Sequence, residues 1–114
     1  MDCRQNLLDA FQACGEAAVL YRGQNILMAN ENFASLFGRT VDECAGLPIL
    51  EICHNESIEM IQDFIHRRAL GEHDLPSSYE AAFRTPSEPK VIMHLTVVKL
   101  RNIEEVLVLF HKKA

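Results

Sequence analysis

Long apolar runs are absent from this chain of 114 residues, and none approaches the roughly 20 residues that a membrane helix needs. The N-terminus carries Asp2 and lacks the apolar stretch of a signal peptide. We therefore expect a chain without a membrane segment, most simply a cytoplasmic protein. The net charge is −5, and no basic patch is present that would neutralise phosphates. Direct binding to nucleic acid is accordingly not expected.

The spacing of the cysteines excludes a zinc finger. The four cysteines are Cys3, Cys14, Cys44 and Cys53, with no C-x-x-C pair and no Cys/His grouping of zinc-finger spacing. We expect free, reduced thiols and no metal centre. The sequence also has no G-x-S-x-G, no phosphate-binding loop and no carboxylate pair of obvious spacing. These absences predict a protein that is not an enzyme.

The N-terminal part of the sequence predicts a helix followed by a β-hairpin. Apolar residues recur there at helical spacing. They are Leu7, Leu8, Phe11 and Cys14. Gly15 provides a stop for this helix. Residues 17–29 then contain two apolar runs around a turn at residues 22–25, which is typical of a hairpin.

A change of periodicity at Asn30 predicts that a strand gives way to a short helix. The Asn30 side chain can accept hydrogen bonds from the amides of a first helical turn. Phe33, Leu36 and Phe37 follow at helical spacing. Gly38 allows the left-handed conformation that ends such a helix.

Two further helix starts are predicted in the middle of the chain. Thr40 and Glu43 have the spacing of a capping box. Asn55 is the expected N-cap of the longest helix of this region, over residues 56–70. Its apolar stripe consists of Ile58, Ile61, Ile65 and Ala69. The basic residues 66–68 are interpreted as a solvated end of this element.

The last third of the sequence predicts three strands. They cover residues 78–85, 90–100 and 104–112, with a hairpin loop at residues 86–89. Because hairpins lie on both sides of the helical block, the sheet should be antiparallel. We predict a single α+β domain with five strands, short helices on one face of the sheet and an N-terminal helix.

The stretch "ILMANENFASLFGRTVDECAGLPILEICHNES" resembles the PAS family of sensory domains. The residues that carry the resemblance are Asn30, Phe33, Leu36, Gly38, Glu43, Gly46 and His54. Asn55 and Ser57 depart from the Pro-x-Asp that the family usually has after the histidine. The resemblance implies an N-terminal helix or cap over residues 1–15 and a PAS core over residues 16–112.

The resemblance also implies a function. PAS domains usually sense a ligand, light or redox state and relay a conformational change to a partner domain. Their pocket lies between the helices and the sheet. The residues predicted to face it are Phe37, Leu50, Ile61, Ile65, Phe83, Met93 and Leu95. The expected partners are an output domain of the kinase, cyclase or transcription-regulator type, a second copy of the chain and a small-molecule ligand.

No cofactor is predicted with a definite identity. Flavin photosensors of the family carry a reactive cysteine where this chain has Ile49, so covalent flavin chemistry is not expected. Redox sensors of the family that use FAD often have a tryptophan in the pocket, and this chain contains none. Haem sensors use a histidine on the long helix, so His66 is a weak candidate at the polar flank of the isoleucine stripe.

Two alternative interpretations remain open at the level of sequence. The same fold could serve as an interaction module that dimerises through Leu7, Leu8 and Phe11 of the N-terminal helix and through the outer sheet face. A pocket above about 300 Å³ favours sensing, whereas a solid core favours the interaction module. The chain could also be a GAF-like ligand domain.

Overall fold

Five strands and a block of short helices make up the structure. The computed structural model describes residues 11–12, 15–72, 74–99 and 105–113. The strands are Ala17–Arg22 (β1), Asn25–Ala29 (β2), Ser78–Thr85 (β3), Glu88–Lys99 (β4) and Val106–Lys112 (β5). The helices are Glu31–Leu36 (α1), Val41–Cys44 (α2), a 3₁₀ turn at Ile49–Ile52 and Asn55–Ala69 (α3).

The strands form one antiparallel sheet in the order β2-β1-β5-β4-β3. The first and last strands lie side by side at its centre, with Val19 opposite Val108. The helices therefore bridge from one edge strand, β2, to the other edge strand, β3. This arrangement confirms the predicted α+β class with a five-stranded antiparallel sheet.

Side chains alternate strictly across the central strands. Val106, Val108 and Phe110 of β5 point into the main core, which the helices cover. Leu107 and Leu109 point to the outer face of the sheet. This period of two explains why the strand looks apolar throughout in the sequence, since both of its faces are at least partly covered.

Phe11 covers part of the outer face. It is buried, and it packs in a small cluster with Ala18 and Leu20 of β1. Phe11 and Gln12 are helical, as predicted for this segment. The rest of the predicted N-terminal helix, including Leu7 and Leu8, lies outside the described residues.

Asn30 begins α1 and also joins three parts of the chain. Its Oδ1 accepts hydrogen bonds from the amides of Phe33 and Ala18, each at 3.0 Å. Its Nδ2 donates to the carbonyl oxygens of Glu16, at 2.7 Å, and Phe11, at 3.4 Å. The predicted N-cap is confirmed, and the buried amide additionally holds β1 and the segment before it against the start of α1.

The end of α1 also follows the prediction. Gly38 adopts φ = +67°, and a Cβ at this position would collide with the ring of Pro86 in the β3–β4 turn. Only glycine combines that backbone conformation with so close an approach. Gly38 therefore sets both the end of the helix and its distance from the sheet.

The capping box of α2 is present, but the predicted N-cap of α3 was wrong. Thr40 and Glu43 exchange the expected pair of side-chain-to-backbone hydrogen bonds. At α3 the cap is His54, whose Nδ1 accepts from the amide of Glu56 at 3.1 Å, and Asn55 is already helical. The amide of His54 donates to Ala82 of β3, which holds His54 in extended conformation and moves the helix start to the next residue.

The β3–β4 hairpin is tighter than the predicted four-residue loop. Only Pro86 and Ser87 form the turn, because the Thr85 hydroxyl accepts from the amide of Glu88 at 3.2 Å and closes it. Pro89 lies within β4, between the paired residues Glu88 and Val91. It has no N–H to donate, and the irregularity of the ladder between Phe83 and Thr85 accommodates it.

The two cysteines that the structure describes in full are buried, free thiols. The Cys53 thiol donates to the carbonyl of Ile49 at 3.4 Å, and burial raises its pKa to about 12. Such thiols behave as small apolar groups rather than as nucleophiles. As to membranes, none of the described helices is long and apolar enough to cross one.

Candidate ligand site

The residues predicted to line a pocket come together between the helices and the sheet. Six of them belong to one buried cluster: Phe37, Ile61, Ile65, Phe83, Met93 and Leu95. Leu50 is partly buried and packs against that cluster. Helix α3 faces β3, because the Ser57 hydroxyl accepts from the amide of Ala82 at 2.8 Å and Phe64 packs edge-on against Tyr79.

Four phenylalanine rings fill the centre of this space. Phe33 contacts Phe37 at a centroid distance of 4.6 Å and Phe110 at 5.1 Å. Phe83 lies 5.3 Å from Phe110 and 6.1 Å from Phe37. All but the first pair meet edge to face, which is a favourable arrangement for aromatic rings. We call Phe33, Phe37, Phe83 and Phe110 the phenylalanine cluster.

A gap of only about 20 Å³ remains beside the phenylalanine cluster. Four of the predicted pocket residues line it: Ile61, Ile65, Phe83 and Leu95. The sequence analysis missed the others, which are Tyr21, Ile49, Tyr79, Val108 and Phe110. The period-two alternation of β1 and β5 was the signal that could have identified three of them. The gap is large enough for about one water molecule.

A larger cleft of about 310 Å³ opens at the end of α3. Its lining residues are Tyr21, Arg22, Gly23, Ile65, Arg68, Ala69, Lys99 and Val106. Tyr21 and Ile65 also line the inner gap, so the cleft and the gap lie on either side of the same two side chains. We refer to this space as the α3 cleft.

The register of the sheet builds the floor of the α3 cleft. Tyr21 of β1 is paired with Val106 of β5, which is paired with Lys99 of β4. These three residues form a row across adjacent strands on the helix-facing side. The last turn of α3, with Ile65 and Arg68, lies over that row.

Arg68 is the central polar group of the α3 cleft. It is half-buried, and its Nε is buried without a hydrogen-bond partner among the residues that the structure describes. This position corrects the interpretation of residues 66–68 as a solvated end for Arg68 alone, since His66 is exposed and Arg67 forms ion pairs at the surface. Arg68 follows Ile61 by seven residues and Ile65 by three, so helical spacing could have placed it on the buried side.

The two tyrosines near Arg68 are neutral hydrogen-bonding groups. Burial raises the pKa of Tyr21, against the lowering effect of the adjacent Arg68 charge. Burial also raises the pKa of Tyr79 to about 12. Both hydroxyls therefore keep their protons near neutral pH.

Neither His66 nor any metal-binding cluster contributes to the site in the described part of the chain. His66 is exposed on α3 and lines neither the inner gap nor the α3 cleft. Among the described residues, no group of three or more His, Cys, Asp or Glu side chains could hold a metal ion. Ile49, which the sequence analysis matched to the flavin-reactive cysteine, is buried and borders the inner gap.

No family model and no curated protein matches this sequence. Solved structures do match it over nearly its whole length. The PAS domain of an HTR-like protein from Haloarcula marismortui superposes with a TM-score of 0.71 at 17% identity, covering 96% of this chain and 91% of that one. A domain of a sensory box sensor histidine kinase/response regulator from Geobacter sulfurreducens gives 0.71 at 16% identity, covering 95% and 92%.

A third similar structure is the PAS domain, in complex with ethanol, of a LuxR-family transcriptional regulator from Burkholderia thailandensis. It superposes with a TM-score of 0.69 at 17% identity, covering 98% of this chain and 97% of that one. These matches confirm the predicted PAS-like fold and favour it over the GAF-like alternative. The chain has the fold of PAS domains.

Proposed function

We propose that this chain is a non-catalytic signal-input domain of a cytoplasmic signalling protein, with its ligand site in the α3 cleft. The observation that carries the proposal is the cleft itself: about 310 Å³, between the last turn of α3 and the row of Tyr21, Val106 and Lys99. Sites for small molecules typically start at about this volume. Its position at the junction of helix and sheet lets an occupant act on both layers.

The inner gap limits where a ligand is accommodated. At about 20 Å³ it holds no organic molecule unless Ile65 and Tyr21 move apart. A ligand that enters the α3 cleft contacts these same two side chains. We therefore place the ligand at the open end of the predicted pocket rather than in its centre.

Strand β1 offers a route for relay from the cleft to the N-terminal segment. Tyr21 lies at one end of β1. At the other end, the Asn30 side chain accepts a hydrogen bond from the amide of Ala18 and donates one to the carbonyl of Glu16. A shift of β1 would therefore be felt in the segment that contains Phe11. A ligand biases two such states by its difference in affinity for them, so a few kcal/mol suffices.

The expected partner is an output domain of the kinase, cyclase or transcription-regulator type. Similar structures include domains of a sensor histidine kinase/response regulator and of a LuxR-family regulator, which supports this partner class. A homodimer through the N-terminal helix remains part of the proposal. In the described structure Phe11 is turned onto its own sheet, so it would contribute by fixing the helix rather than by direct contact.

The filled interior favours a second candidate, the interaction module without ligand. By the volume criterion, a gap of about 20 Å³ counts as a solid core. Leu27 and Val98 are exposed large apolar residues, at 43% and 38% of their surface, and could extend a contact on the sheet.

Amide NMR spectra of the ¹⁵N-labelled chain, screened with a fragment library, distinguish the two candidates. A sensor predicts fragments that shift the signals of Ile65 and Val106 together with those of Glu16 and Ala17. The variant Ile65→Trp should block these shifts, whereas Ile58→Trp, on a partly buried residue away from the cleft, should not. Fragments that shift only outer-face signals, with a dimer in light scattering, would replace the sensor by the interaction module.

A further inference from the structure

The α3 cleft is cationic in a chain of net charge −5. Among the described residues that line it, three are basic and none is acidic: Arg22, Arg68 and Lys99. Arg22 pairs with Glu105 at 2.9 Å, so its charge is offset. Among residues 11–12, 15–72, 74–99 and 105–113, no carboxylate forms an ion pair with Arg68 or Lys99.

The neighbouring residue shows that this lack of acids is local. Arg67, one position earlier on α3, forms ion pairs with Asp63, Glu72 and Asp74. Elsewhere on the described surface, Lys90, Lys112 and Lys113 each pair with a glutamate. Within the described residues, Arg67 and these three lysines thus have carboxylate partners, as Arg22 of the cleft does, whereas Arg68 and Lys99 have none.

The end of a helix gives one ordinary reason for a basic residue, because the last carbonyls carry partial negative charge. At α3 three of those carbonyls already have donors: the amide of Leu70 donates to the carbonyls of His66 and Arg67, and the amide of Gly71 donates to the carbonyl of Arg68 at 3.0 Å. The Arg68 guanidinium instead lies beside the Tyr21 hydroxyl and hydrogen-bonds to it, while its Nε is buried without a partner among the described residues. A half-buried cation in this state favours an anion that arrives from outside.

We infer that the α3 cleft binds a small organic carboxylate, an inference that rests on the proposed ligand-sensing function. The carboxylate would accept hydrogen bonds from Arg68, in the bidentate manner that guanidinium groups favour, and from the Tyr21 hydroxyl. Lys99 adds a second positive charge at the exposed end of the sheet row. Ile65 and Val106 form an apolar wall that suits a short alkyl or aryl group on the ligand.

The test measures binding of four probes to the whole chain by titration of its amide NMR spectrum. The probes are hexanoate, its neutral counterpart hexanol, benzoate and inorganic phosphate. Hexanoate or benzoate should shift the signals of Tyr21, Ile65 and Val106 with dissociation constants in the millimolar range or below. Hexanol and phosphate should bind at least about tenfold more weakly, because hexanol lacks the negative charge and phosphate lacks the apolar group.

Three variants that each remove one positive charge distinguish binding in the cleft from a general electrostatic effect. Arg68→Gln should weaken carboxylate binding at least about tenfold. Arg67→Gln, one residue away, should leave it unchanged. Lys99→Gln should weaken it a few-fold, since its ammonium is exposed. The amide spectrum of each variant without probe shows that it is folded when signals far from the substitution match those of the natural chain.

The outcomes also distinguish this inference from the proposed function. If hexanol binds as tightly as hexanoate and Arg68→Gln changes neither, the cleft is a ligand site but not one for anions. If phosphate binds as tightly as hexanoate, the organic part of the inference is wrong. If neither carboxylate shifts these signals at about 10 mM, the inference fails and only the fragment screen decides the sensor proposal.

Discussion

The phenylalanine cluster and the α3 cleft lie against the same side of the same sheet, yet one is packed and the other is open. At the cluster, four rings from α1 and its C-cap, β3 and β5 pack with centroids 4.6 to 6.1 Å apart. At the cleft, about 310 Å³ stays open between the last turn of α3 and the strands, and Lys99 at the end of β4 is exposed. The difference arises because aromatic side chains fill one end of the space, while the other end holds charged groups that resist burial.

This comparison indicates how the chain divides its tasks. The packed end supplies the stability that a small domain needs, and the open end tolerates groups that the fold itself does not satisfy. A polar group without a partner lowers stability and gives the fold no benefit. Such a group is therefore more often retained for function than for structure. Changes at the two ends should therefore have opposite effects on stability and on binding.

The largest effect is expected at the centre of the phenylalanine cluster. Phe110→Ala removes a buried ring that contacts Phe33, Phe37 and Phe83. We expect a loss of about 3–5 kcal/mol in the free energy of unfolding, measured by urea denaturation. Phe64→Ala, at a half-buried ring that contacts Tyr79, is the matched control and should lose less. A loss below about 1 kcal/mol for Phe110→Ala would show that the cluster does not carry the core.

The next largest effect is expected at Asn30, which attaches α1 to this packed end. Asn30→Ala deprives the amide of Ala18 and the carbonyl of Glu16 of their partner, and also removes the helix cap. We expect a loss of roughly 2–4 kcal/mol in urea denaturation. Thr40→Ala, which removes only an exposed cap, should lose about 1 kcal/mol.

Asn30→Asp sharpens this prediction. The aspartate keeps an acceptor for the amides but turns an oxygen toward the carbonyls of Glu16 and Phe11. We expect no rescue relative to alanine. A variant as stable as the natural chain would mean that only the cap matters and that the bonds to the N-terminal segment contribute nothing.

At the α3 cleft, a substitution is expected to leave the free energy of unfolding unchanged or to raise it rather than to lower it. Arg68→Met keeps the length of the side chain but removes a half-buried charge that has no ion-pair partner in the described structure. Its free energy of unfolding should be unchanged or rise by up to about 1 kcal/mol. Arg67→Met removes three exposed ion pairs and should lower stability, by less at high salt. If Arg68→Met is the more destabilising of the two, Arg68 is a structural residue.

The smallest effect is expected at Glu43, on the exposed capping box that neither region includes. Hydrogen bonding from the backbone of Thr40 lowers the pKa of Glu43 below its ordinary value of 4.5. Because the folded-state pKa is depressed, the associated stability is present above pH 4.5 and is lost as pH falls through the folded value. Glu43→Gln should therefore reduce the slope of melting temperature against pH in that acidic range. An unchanged slope would show that the box carries no electrostatic stability.

Local signals in the sequence predicted much of the fold. The helix start at Asn30, the stop at Gly38 and the box at Thr40 and Glu43 depend on contacts within a few residues, and all three are present. The start of α3 was misplaced because His54 is held by Ala82, which is distant in sequence. Six of the seven predicted pocket residues are in the core. The sequence did not predict the size of the space between them, because that size depends on how closely side chains from distant elements pack.

The sequence by itself determined the order of elements, the start and stop of α1 and the PAS-like fold of the chain, because these follow from residue spacing and from caps that act locally. Only the tertiary structure decided that the interior is nearly full and that Arg68 lies over the row of Tyr21, Val106 and Lys99. Cavity volume and the partners of a charge depend on where distant elements cross. That crossing is set by the register of three strands under one helical turn. The residues involved are far apart in the sequence, so no short stretch of the chain specifies it.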